Sequence, residues 1–80
     1  MKAEDYRRAL TAETARRGLD LTDLASSLGV SRASLDGKLR GIDGPRSQLQ
    51  WLEEAAASLG LTLSELVELV EEIADKPRAN

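Results

Sequence analysis

The side chains best equipped for specific polar chemistry lie close together, in the stretch SRASLDGKLR from Ser31 to Arg40. If this stretch is a helix with Val30, Leu35 and Leu39 turned inward, the outward side presents Ser31, Arg32, Ala33, Asp36, Gly37 and Arg40, with Lys38 on a flank. These groups donate and accept hydrogen bonds: an arginine fork, a serine hydroxyl, a carboxylate. They do not make a nucleophile with its base. The chain has no Cys and no His, which removes disulfides, zinc sites, thiol chemistry and imidazole catalysis together. Neither a glycine-rich phosphate loop nor metal-ligand spacing occurs, and Glu65, Glu68, Glu71, Glu72 and Asp75 are spaced as a solvated helix face rather than as a catalytic pair. The chemistry on offer is recognition, and no enzyme activity, cofactor or metal is expected.

The elements that must position these groups read as helix, tight turn, helix. Leu24, Ala25 and Leu28 give a short helix one apolar face. Gly29 is able to take the left-handed backbone that turns the chain, Val30 plugs the corner, and Ser31 caps the second helix. Two helices crossing steeply through so short a turn leave little room between them, a need met by Ala25 and Gly29. This pattern resembles the helix-turn-helix of the Cro/lambda-repressor-like (XRE) family. The likeness extends to Gly18-Leu19 before the motif and Gly41 after it, then to Leu49, Leu52, Ala56, Leu59-Gly60 and Thr62-Leu63-Ser64-Glu65-Leu66, covering roughly Leu10 to Val70.

The resemblance implies an all-α, five-helix bundle that binds double-stranded DNA with the helix after Gly29 in the major groove. On that basis Arg32 is the expected reader of a guanine edge, with Ser31, Ala33 and Asp36 as further base contacts. Ser34, Lys38, Arg40, Arg46 and Ser47 are the expected phosphate contacts, which position a protein without conveying sequence. One departure stands out. Leu21 occupies a place where the family often has a Gln that donates to a phosphate, and Asp20 and Asp23 flank it with negative charge. Asp36 repels phosphate, and Gly37 is an unfavourable residue for a helix interior.

Eighty residues make one domain, expected to span 1–76 with a disordered tail at 77–80. Fourteen Leu, eleven Ala and only two aromatics, Tyr6 and Trp51, suit a thin helical bundle. The first helix is expected over Ala3–Arg17, with Tyr6 and Leu10 as anchors, Gly18 as its stop, and Arg7 and Arg8 on a solvated face. Asp20 caps the second helix, with Asp23 completing a shortened capping box. Gly41 to Arg46 reads as a loop, with Ile42 tucked onto the core and Pro45 stiffening the approach to the fourth helix. That helix, expected over Ser47–Leu59, buries Leu49, Leu52, Ala56 and Leu59 and leaves Trp51 off the stripe, covering the bundle's side or meeting a partner.

Thr62 and Glu65 form a capping box for an extended amphipathic C-terminal helix running to about Asp75. Its apolar residues split into one stripe that closes the core (Leu63, Val67, Val70) and a second (Leu66, Leu69, Ile73) expected to stand open in a monomer. With Trp51, the second stripe is the expected homodimer interface, unless the first helix folds over it.

The net charge of −3 is unequally divided: residues 1–46 carry nine Lys/Arg and seven Asp/Glu, residues 47–80 two and seven. A mildly basic motif half and an acidic C-terminal half would orient the former toward phosphate. No apolar run approaches a membrane span and the N-terminus lacks a signal-peptide core, so a cytoplasmic location is expected. The expected function is a repressor-like, sequence-specific transcriptional regulator acting as a dimer on a palindromic operator. The alternative is a helical protein-interaction module, an antirepressor or accessory factor that keeps the fold without specific DNA binding.

Overall fold

A computed structural model describes residues 2–43 and 50–75. Five helices follow one another, α1 (Ala3–Arg16), α2 (Leu21–Ser27), α3 (Arg32–Gly41), α4 (Gln50–Ser58) and α5 (Leu63–Asp75), and the described residues contain no strand. The chain is therefore all-α, as expected. The loop residues Gly44, Pro45 and Arg46, the helix start at Ser47, Leu49, and the tail beyond Lys76 lie outside the described residues.

Local chemistry sets the helix ends. Asp20 Oδ1 accepts the Asp23 N–H at 2.9 Å while Asp23 Oδ2 accepts the Asp20 N–H at 3.0 Å, a reciprocal capping box at the start of α2. Thr62 and Glu65 repeat the arrangement before α5, at 3.1 and 2.9 Å. Ser31 Oγ accepts the Ser34 N–H at 3.1 Å and so caps α3. At the other ends, Gly18, Gly29 and Gly60 take φ values of 72°, 72° and 75°, the left-handed backbone that lets a helix stop and the chain turn.

Around one core, α1 packs against α2, α3 and α5, while α4 packs against α2 and α5. Tyr6, Ala9 and Leu10 of α1, Leu21, Leu24 and Ala25 of α2, Leu35 and Leu39 of α3, Trp51, Leu52, Ala55 and Ala56 of α4, Leu59, and Leu66 and Val70 of α5 are buried. Val30 and Ile42 pack against that core partly covered, at the corner and after α3 respectively. No described helix is long and apolar enough to cross a membrane.

The division of α5 into a core stripe and an open stripe is corrected. Leu66, expected in the open stripe, is fully buried at 0 % exposure and shares the centre of the core face with Val70. Leu63, Val67, Leu69 and Ile73 lie to either side, each partly covered, and Ile73 packs against the core. Trp51 is buried at 9 % and contributes to the core instead of awaiting a partner. The physical reason is that α5 has two neighbours: α1 lies along one side and α4 along the other. An apolar arc of about 160° is what a helix needs to face two partners, and its middle, where Leu66 and Val70 fall, is the most covered part. α4 behaves likewise, burying Trp51 and Ala55 beside the expected Leu52, Ala56 and Leu59.

Candidate functional site

The candidate site is the outer side of α3 together with the turn that leads into it. α2 and α3 are joined by Leu28, Gly29, Val30 and Ser31, and the Val30 N–H closes back on the Ala25 carbonyl at 3.0 Å, tying the turn to α2. Leu35 and Leu39 then fix the roll of α3 about its axis, being 0 % and 1 % exposed. Once those two face inward, the crest of the helix is set. It is formed by Ala33, Gly37 and Gly41, four residues apart and all exposed. A side chain added at Gly37 or Gly41 would meet nothing within 4 Å, so neither glycine makes room for another of the described residues.

Polar groups line both flanks of this bare crest. Ser31 and Ser34 lie at its start, where the Ser31 hydroxyl donates to Ser34 Oγ at 3.1 Å and leaves the Ser34 O–H as an outward donor. Lys38 and Arg40 are exposed and make no ion pair among the described residues. Arg46 and Ser47, the other two expected phosphate contacts, lie outside the described residues.

The flank that faces α1 differs from expectation. Asp36 does not stand outward. Its side chain is 31 % exposed, and Oδ1 receives Arg7 Nη1 from α1 at 3.1 Å. The same oxygen is 3.4 Å from Arg32 Nε on its own helix. At about 100° per residue, Arg32 and Asp36 fall between the core face and the crest, which is why they turn toward α1. Burial pushes the Asp36 carboxyl up, but the hydrogen bond from Arg7 and the charges of Arg32 and Arg7 outweigh it and hold the group below its ordinary value. Asp20, held low first by the hydrogen bond from the Asp23 N–H, also feels the charge of Arg32. Arg32 thus pairs with Asp36 and adds its charge, more weakly, to the field at Asp20. Its side chain remains 40 % exposed, so its fork can still reach out of the molecule.

Leu21 is buried. That position is given to the core, and the N–H groups of Asp20 and Asp23 at the start of α2 are taken by each other's carboxylates. Leu69 borders a groove of about 280 Å³ between α1 and α5, lined by Glu13, Arg16, Arg17, Leu61, Glu65, Glu68, Leu69 and Glu72. Both arginines there are tied to the buried Glu13, at 3.1 and 2.8 Å.

Two partners at this site are unexpected from the sequence: Arg7, expected on a solvated face, and Asp43, whose Oδ1 accepts the Ala3 N–H at 3.0 Å and so caps α1 from just beyond α3. The signal for Arg7 was its place beside the Tyr6–Leu10 stripe. The signal for Glu13 was stronger, because it continues the spacing of Tyr6, Ala9 and Leu10. No protein-family model, curated protein or solved structure matches the chain.

Proposed function

We propose that the chain is a sequence-specific double-stranded DNA-binding regulator of the Cro/lambda-repressor-like kind, with α3 in the major groove. The observation that carries this reading is the geometry of α2, the turn at Gly29 and α3. Gly29 has φ 72°, Leu35 and Leu39 are rolled inward, and Ser31, Ala33, Ser34, Lys38 and Arg40 are left exposed along one helix. Arg32 supplies the fork for a guanine edge. Ala33, small and on the crest, fits a thymine methyl, while Ser34, Lys38 and Arg40 serve phosphates. Asp36 leaves the set of base contacts and becomes a partner of Arg7 and Arg32.

Two copies on a palindrome would place their α3 helices in successive major grooves, about 34 Å apart. The buried positions of Trp51 and Leu66 remove half of the interface expected for a preformed dimer, so we assign pairing to adjacent half-sites on the duplex.

The reading is tested by selection from a randomised duplex pool at about 50 mM salt, where phosphate attraction is strong. Enrichment of a palindrome supports it; a pool that is neither retained nor enriched refutes it. One observation favours a second reading, a protein-interaction module. Arg32 is paired with Asp36, a carboxylate that opposes phosphate. Failure of the selection at low salt would leave that module as the reading to pursue.

A further inference from the structure

α1 meets α3 and the turn just after it through polar groups at two places. Asp43 Oδ1 accepts the Ala3 N–H, and Asp36 Oδ1 accepts from Arg7 Nη1 across 29 residues of chain. The second contact reaches into the candidate interface, because that oxygen also lies 3.4 Å from Arg32 Nε. This approach is not a hydrogen bond: Nε is buried and has no acceptor. The Arg32 guanidinium is therefore drawn toward Asp36 by charge, while its terminal N–H groups make no hydrogen bond among the described residues.

We propose that Arg7 is a specificity-determining positioning residue. By engaging Asp36 from a neighbouring helix, it keeps the carboxylate close enough to orient Arg32 and prevents it from taking the Arg32 fork for itself. An Asp and an Arg four residues apart on one helix pair readily when nothing restrains them, and a carboxylate matches the guanidinium fork well. Without Arg7, Asp36 closes onto Arg32 and occupies the donors that two acceptors on a guanine edge would use. Pairs as exposed as these add only modestly to stability, so the arrangement does more for position than for fold. The proposal rests on the DNA-binding reading of α3.

The test compares wild type with Arg7→Ala, Arg8→Ala and the double variant Arg7→Ala/Asp36→Ala. Arg8 is exposed and adjacent, so its loss changes the net charge equally without touching Asp36. The probe is the duplex recovered from the randomised pool by the wild-type chain, together with its single-base-pair variants. Arg7→Ala should lose about tenfold in preference at the base pair that Arg32→Ala identifies, and keep its preference elsewhere. The double variant should regain part of that preference, and Arg8→Ala should weaken all sequences alike.

A readout without DNA is the Arg32 Nε–H resonance in a ¹H–¹⁵N spectrum, which should move in Arg7→Ala and stay in Arg8→Ala. Full preference in Arg7→Ala, a double variant no better than the single, or an unmoved Nε–H resonance would each overturn the positioning role. A wild-type chain that retains no duplex defeats the DNA reading and this proposal together. A selective wild type with an indifferent Arg7→Ala defeats the positioning role alone.

Discussion

Two titratable side chains report on how α1 is seated. Asp36 is held below its ordinary value by Arg7 and Arg32 in spite of burial, so it contributes stability above the ordinary carboxylate pKa of about 4. That contribution is lost as pH falls through the depressed folded value. Asp36→Asn should therefore flatten the acid side of a plot of thermal midpoint against pH. Tyr6 runs the other way: burial, and second the charge of Glu71, raise its phenol above 10.0. Stability from the neutral phenol is present below that pH and is lost as pH rises through the raised folded value, so Tyr6→Phe should flatten the alkaline side of the same plot.

If α3 reads DNA as proposed, Arg32→Ala should lower discrimination at one base pair per half-site, whereas Lys38→Ala and Arg40→Ala should weaken all duplexes and reduce the salt dependence of binding. Competition titrations at several salt concentrations separate the two. The sequence was informative where a residue acts on its near neighbours, as Asp20, Ser31 and Thr62 do on the helix starts beside them. It was silent on Arg7 and Asp36, because their meeting depends on which face α1 turns toward α3.

Two glycines of the motif invite opposite outcomes. Gly29 has φ 72°, a backbone that a Cβ disfavours, so Gly29→Ala should destabilise the fold by about 1–2 kcal/mol. Gly37 has helical neighbours and open space around it, so Gly37→Ala should stabilise by up to about 1 kcal/mol and raise the thermal midpoint. A more stable Gly37→Ala that binds the selected duplex less well would mean that the bare crest serves close approach by a ligand. The helix positions were legible because each start and stop carries its own signal. The roles of α4 and α5 were less so. A stripe of apolar residues tells that a helix is buried, but the division of a wide arc between neighbours depends on how many helices flank it. Trp51 and Leu66 were misassigned for that reason.

For the molecule as a whole, the contact between α1 and α5 brings the first and last helices together and completes the core. Leu66 is fully buried in the middle of α5's core face, so Leu66→Ala should remove about 2–5 kcal/mol, a large share of the stability of so small a domain. Leu19 is the one large apolar residue exposed among the described residues, which therefore present no broad sticky surface. Sedimentation without DNA should give a single 8.7 kDa species, and urea midpoints should not depend on protein concentration. A concentration-dependent midpoint would restore the preformed dimer.

Trp51 is the chain's single tryptophan, and it is enclosed in α4, which packs against α2 and α5 rather than along α3. The molecule therefore carries its own optical gauge. Indole emission should be blue-shifted in the folded chain and move to longer wavelength when the core opens, and it should stay steady when a ligand settles on α3. A titration in which the emission shifts would signal that occupancy of the outer helix is felt in the interior.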